Sequence, residues 1–115
     1  MDISQETSNK IGELQAIEHQ LQGFLVQKQS IQVELNEVVN ALDEVRKSKE
    51  EVYKILSSVM IKTEKDSLIE ELEERKNLLE LRINSLEKQE DVVAGRASKL
   101  RDEVTKEIKK DKNKK

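Results

Sequence analysis

The chain has 115 residues, of which 39% are charged and 2% aromatic, with no proline, no cysteine and a formal net charge of −3. This composition is typical of long helices that carry an apolar stripe, and it excludes an ordinary globular core, disulfides and cysteine-based metal sites. The small net charge favours neither nucleic acid nor an anionic membrane as a partner.

The first seven residues are predicted to form a loose leader. They are polar and acidic, and they lack the basic start and the apolar stretch of a secretory signal. No apolar run elsewhere approaches the roughly 20 residues needed to cross a bilayer. We therefore expect a soluble, cytoplasmic protein with no membrane partner.

A first heptad run predicts a coiled-coil helix over residues 8–49, with Ser8 as its N-cap. Apolar residues recur there at alternating spacings of three and four, which is the pattern of a coiled-coil seam. Lys28 is the only polar member of this seam, which comprises Leu14, Ile17, Leu21, Phe24, Lys28, Ile31, Leu35, Val38, Leu42 and Val45.

The connector over residues 50–66 predicts a small β-hairpin. Residues 52–56 and 59–63 are rich in β-branched and large apolar side chains, and Ser57-Ser58 separates them. An isolated two-stranded hairpin is marginal in water, and its open edges invite another strand. We therefore expect hairpins from several chains to pair, although a hairpin that only closes the coiled coil is the competing interpretation. The residues predicted to carry assembly are Val52, Tyr53, Ile55, Val59, Met60 and Ile61.

A second heptad run predicts a helix over residues 67–106. Its seam comprises Leu72, Leu79, Leu86, Val93 and Leu100 in one position and Ile69, Lys76, Ile83, Glu90, Ala97 and Val104 in the other. Leu78 and Leu81 fall off this seam near the hairpin, where they could pack beneath an assembled sheet.

The two runs have equal length, so a chain reversal between them would pair positions whose numbers add to about 114. Leu42 would then face Leu72, and Leu35 would face Leu79. Lys28 would lie in the layer next to Glu90, which predicts a register-fixing ion pair with Glu90 or Glu87.

The predicted fold class is therefore mainly α. A single domain over residues 1–115 forms an antiparallel two-helix coiled coil, joined by a β-hairpin that pairs with other subunits into one sheet or β-barrel. The lysine-rich residues 107–115 are expected to form a disordered or fraying tail.

Apolar residues near both helix ends predict a binding surface for unfolded chains. Ile11 lies outside the register, and Ala97 opposite Ile17 is small for its layer, so we expect the helices to splay and expose apolar side chains there. The competing interpretation is that these residues complete the seam. The predicted client-binding residues are Ile3, Ile11, Leu14, Ile17, Leu100, Val104 and Ile108.

No residue pattern predicts an enzyme, a cofactor site or a metal site. The only histidine, His19, falls on the outer face of the first helix, and the sequence offers no cysteine or second histidine to complete a site. Gly12, Gly23 and Gly95 are scattered through helices, so they form no phosphate-binding loop.

The hairpin region resembles the prefoldin beta subunit family. Where that family often has glycine in the turn, this chain has Ser57. The matching segments are Glu51-Val52-Tyr53-Lys54, Val59-Met60-Ile61-Lys62, Lys65-Asp66 and Leu68, with further likeness in Val26-Gln27-Lys28-Gln29 and Leu79-Glu80-Leu81-Arg82.

The resemblance implies a heterohexamer of two alpha and four beta subunits, with a double β-barrel body and six coiled-coil tentacles. Such complexes are ATP-independent co-chaperones that hold non-native proteins between the tentacle tips and deliver them to a group II chaperonin. Two alternatives from other classes are a passive coiled-coil spacer in a larger scaffold and a nucleic-acid binder that uses the terminal lysines.

Overall fold

The computed structural model describes residues 4–113, and the side chains as far as residue 110. It contains helix α1 (Gln5–Lys47), strands β1 (Val52–Leu56) and β2 (Val59–Thr63), and helix α2 (Lys65–Asn113). The predicted fold class is confirmed in its single-chain part, since two long antiparallel helices are joined by a β-hairpin. Within the described residues, neither helix has an apolar stretch that could cross a membrane.

The start of α1 differs from the prediction. Ser4 rather than Ser8 is the N-cap, because the Thr7 backbone N–H donates to Ser4 Oγ at 3.1 Å. Ser8 already lies within the helix, where its N–H bonds to the Ser4 carbonyl at 3.0 Å. Residues 5–7, which were expected to belong to the leader, therefore lie in the first helical turn.

The end of α2 also differs from the prediction. This helix begins at Lys65 and continues to Asn113, so residues 107–113 are helical instead of forming the expected tail. Packing near the terminus explains the extension, because Val104 of the seam is buried and Ile108, outside the seam, is half-buried. Apolar contacts of this kind hold a helix terminus whose composition alone would let it fray.

The hairpin has the two predicted strands, paired antiparallel from Val52↔Thr63 to Leu56↔Val59. Ser57 and Ser58 form the two-residue turn, with φ angles of 46° and 71° in the left-handed region. Paired positive φ values suit a tight hairpin, because they match the twist of the strands. Serine thus adopts here a conformation that glycine would reach more easily.

The chain forms two compact units, which we call the terminal unit (residues 1–27 and 85–115) and the hairpin unit (residues 28–84). Each has its own apolar core, built from seam positions of both helices. The terminal core contains Ile17, Phe24, Val93 and Ala97 with Leu14, Leu21, Leu86 and Leu100. The hairpin core contains Leu35, Val38, Leu42 and Leu79 with Ile31, Ile69, Leu72 and Ile83.

Ion pairs between the helices support the predicted register within each unit. In the hairpin unit, Glu34 pairs with Arg75. In the terminal unit, Arg101 lies 3.2 Å from Glu18. When the two residue numbers of each pair are added, one sum lies below and the other above the expected total of about 114. This is what positions flanking an antiparallel seam should show. The ion pair of Lys28 stays a prediction.

Candidate functional site

The hairpin presents two faces, because successive strand side chains point to opposite sides. The face that carries Val52 and Lys54 is turned towards α2, since Val52 is 9% exposed and Lys54 Nζ lies 3.3 Å from Glu71 Oε2. We call it the inner face, and the opposite side, with Tyr53, Ile55, Met60 and Lys62, the outer face.

The outer face holds the most exposed apolar side chains of the hairpin. Ile55 and Met60 stand directly opposite each other in the strand register and are 71% and 66% exposed. Such a cross-strand pair would contribute most to stability if another surface covered it. The outer face is therefore an exposed apolar surface.

At the other end of the outer face, polar side chains form hydrogen bonds with one another. Glu51 accepts hydrogen bonds from Lys62 Nζ at 2.8 Å and from the Tyr53 hydroxyl at 2.9 Å. The Lys62 ammonium, followed by the Tyr53 hydroxyl, holds the pKa of Glu51 below its ordinary value. Because Glu51 and Lys62 are already paired with each other, a partner that covered this face would not need to supply their counter-charges.

A groove of about 420 Å³ runs between the hairpin and the start of α2. Its apolar lining includes Leu56, Leu68, Leu72 and Leu78, and Glu71 is among its charged residues. Leu56 is 52% exposed, and Leu78 is 47% exposed. The hairpin unit thus offers apolar surface beside the hairpin as well as on it.

Five of the six predicted assembly residues are exposed, namely Tyr53, Ile55, Val59, Met60 and Ile61. Val52 differs, because it packs within its own chain. Sequence reasoning missed Leu56, which shares the inner face with Val59 and Ile61. The alternation of β1 carried that signal, since Leu56 falls two positions after Lys54.

The predicted client-binding residues lie closer to the core than expected. Ile17 is 5% exposed and Val104 is 8% exposed, while Ile11, Leu14, Leu100 and Ile108 are half-buried. Ile3 lies outside the described residues. The expected splay is therefore absent from the described part of the helix ends, and Ala97, 2% exposed, fills its layer well.

A polar cluster joins the two helix ends in the terminal unit. Thr7 is 1% exposed, and its hydroxyl donates to Glu107 Oε2 at 2.5 Å. Lys10 Nζ donates to the other carboxylate oxygen, Glu107 Oε1, at 2.6 Å. These bonds lower the pKa of Glu107, with Lys10 as the larger cause, and the hydrogen bond to Glu107 raises the pKa of Lys10. Both groups are therefore held in their charged forms.

This polar cluster was not predicted from the sequence, although the heptad contained the signal. Extending the first seam backwards by seven residues from Leu14 and Ile17 reaches Thr7 and Lys10. Extending the second seam forwards from Leu100 reaches Glu107. The three residues thus continue both seams with polar side chains.

Comparisons with known proteins converge on one family. A family model described as "Prefoldin subunit" matches residues 8–111. The prefoldin subunit beta of Pyrobaculum neutrophilum is 40% identical over 90% of this chain and 82% of its own length. That of Thermococcus onnurineus is 38% identical over 77% of this chain and 78% of its own length.

The fold agrees with a solved structure from the same group. The crystal structure of the prefoldin beta subunit from Thermococcus strain KS-1 superposes with a TM-score of 0.86 and 34% sequence identity. The match covers 91% of this chain and 94% of the other. The similarity therefore includes the hairpin as well as both helices.

Proposed function

Since this chain belongs to the prefoldin family as a beta subunit, we propose that it holds non-native proteins at its helix ends and passes them to a group II chaperonin. Prefoldin subunits are chaperone subunits and not enzymes. In the proposal, binding and release require no ATP, and the protein works in the cytoplasm.

The hairpin supports the proposed assembly. The observation that carries it is the exposure of Ile55 and Met60, which face each other on a sheet of only two strands. Two strands with open edges and bare apolar side chains gain most by pairing with further strands. We propose that four such chains and two alpha subunits join their hairpins in a β-barrel body.

Client holding is assigned to the helix ends of the terminal unit. Ile11, Leu14, Leu100 and Ile108 are half-buried, so part of each side chain already reaches the surface. One such end offers little apolar area and would bind weakly. Several ends carried by one particle would bind together through multivalency, which allows firm holding and ready release.

Removing residues 1–12 together with 105–115 tests this assignment. We expect the truncated chain to assemble at the mass expected for its length, because its hairpin is intact. Suppression of the aggregation of denatured citrate synthase, measured by light scattering, should fall about tenfold or more, because multivalent contacts are lost together.

A matched control lacks only residues 111–115, which removes lysines but none of the predicted client-binding residues. It should suppress aggregation as well as the full chain does. Unchanged suppression by the longer truncation would contradict the assignment of the helix ends.

The second candidate function is a passive coiled-coil spacer. The observation in its favour is the packing at the helix ends, where Ile17 and Val104 are buried instead of splayed. A spacer would assemble through the same hairpin. The full chain would then fail to suppress aggregation in the light-scattering experiment.

A further inference from the structure

The helix ends are held together by a polar contact that differs from the rest of the seam. We call Thr7, Lys10 and Glu107 the terminal latch. Both oxygens of the Glu107 carboxylate are used, one by the Thr7 hydroxyl and one by the Lys10 ammonium. The Ser4 hydroxyl lies 2.8 Å from that of Thr7, so the cap of α1 joins the same network.

Apolar side chains lie immediately beside the terminal latch. Val104 is on the turn of α2 before Glu107, and Ile108 follows Glu107 directly. Ile11 follows Lys10 on α1. Val104 is 8% exposed, and the two isoleucines are half-buried. Closing the terminal latch therefore covers apolar surface that would otherwise face water.

A polar contact of this kind opens more readily than an apolar one. When the helix ends separate, the carboxylate, the ammonium and the hydroxyl all regain water, so the net gain from pairing them is small. The leucine and isoleucine layers further along the seam have no such compensation, because water does not replace apolar contacts. Opening should therefore begin at the terminal latch and stop at those layers.

Gly12 makes α1 locally less stable next to the terminal latch. It directly follows the segment that carries Thr7 and Lys10, and a glycine inside a helix is less stable there than alanine. No neighbour requires a glycine there, since an added Cβ would meet nothing within 4 Å. The absence of a side chain at this position thus weakens the helix without improving its packing.

We infer that the terminal latch is an autoinhibitory contact: when closed it shields the apolar residues beside it, and when open it presents them to a non-native protein. The role of the terminal latch in holding clients rests on the function proposed above. The opening of the terminal latch does not depend on that function, and it can be measured separately.

Two substitutions shift the equilibrium between the closed and the open terminal latch in opposite directions. Glu107→Lys places a second ammonium beside Lys10 and removes the acceptor of Thr7, while lysine keeps a helix propensity similar to that of glutamate. Gly12→Ala stiffens α1 next to the closed latch. The matched control is Glu18→Lys, which reverses an exposed charge opposite Arg101 in the same unit, away from the terminal latch.

The experiment follows amide hydrogen exchange in the full chain, purified in its native assembly, together with the aggregation of denatured citrate synthase. Amides in residues 5–12 and 104–110 should exchange about tenfold faster in Glu107→Lys than in the native chain. They should exchange more slowly in Gly12→Ala and at the native rate in Glu18→Lys. Citrate synthase should be held better by Glu107→Lys and less well by Gly12→Ala.

Two results would overturn the inference. Equal exchange in Glu107→Lys and Glu18→Lys would show that the terminal latch does not control opening. Faster exchange in Glu107→Lys without better holding would show a structural clamp with no autoinhibitory role. Failure of the proposed function looks different, because the native chain and every variant would then leave aggregation unchanged while the exchange rates still report on opening.

Discussion

Met60→Asp is expected to break the assembled particle into smaller species while leaving the fold of the single chain intact. Met60 is 66% exposed in the free chain, so aspartate there remains in water until the chains assemble. Covering that carboxylate with a neighbouring hairpin would cost several kcal/mol, because Lys62 on the same face is already paired with Glu51. Native mass spectrometry should show loss of the particle, and circular dichroism should show unchanged helix content.

The matched control for this substitution is Val92→Asp. Val92 is also 66% exposed, but it lies on α2 in the terminal unit, far along the chain from the hairpin. It introduces the same charge in place of an apolar side chain, and the particle should persist. A Met60→Asp particle of native mass would reject the assembly role of the hairpin and favour one that only closes the coiled coil.

Leu79→Ala is expected to produce the largest loss of stability of any single truncation in the seam. Leu79 is 1% exposed and packs in the hairpin core with Leu35, Val38 and Leu42. Removing a buried leucine side chain costs about 2–5 kcal/mol, because apolar contacts are lost and a cavity remains. Chemical denaturation followed by circular dichroism at fixed protein concentration measures the change in the free energy of unfolding.

Leu25→Ala provides the comparison, since Leu25 is 41% exposed on α1 and has less contact area to lose. Leu25→Ala should lower the free energy of unfolding by less than about 1 kcal/mol. Equal losses at the two positions would contradict the assignment of Leu79 to the core.

The seams and the strands could be predicted from the sequence because each depends on a local sequence pattern. The heptad placed Leu79 and Leu42 in the core, and both are nearly inaccessible to water. The β-branched and large apolar residues on either side of Ser57-Ser58 gave both strands with their observed bounds. Both signals are local, so the chain displays them without reference to its tertiary structure.

The helix termini could not be predicted in the same way, because their partners are distant in the sequence. Thr7 looks like part of a polar leader until Glu107, 100 residues later, accepts its hydrogen bond. Residues 107–113 look like a solvated tail for the same reason. Within the described residues the helix ends do not splay, because Thr7, Lys10 and Glu107 continue the seams with polar contacts.

The residues of the assembly surface could be predicted only in part from the sequence. β-propensity marked Val52 and Ile55 alike, yet Val52 is 9% exposed and Ile55 is 71% exposed. Which face of a two-stranded sheet packs on its own chain depends on where the following helix lies. That position is a tertiary property, and alternation alone leaves the choice between the faces open.

Native mass spectrometry of this chain, purified gently from its own cells, tests the proposed assembly most directly. We expect one particle that holds four copies of this chain and two copies of a longer coiled-coil subunit. A lone dimer, or a chain embedded in an unrelated complex, would contradict the proposed chaperone assembly and favour the passive spacer.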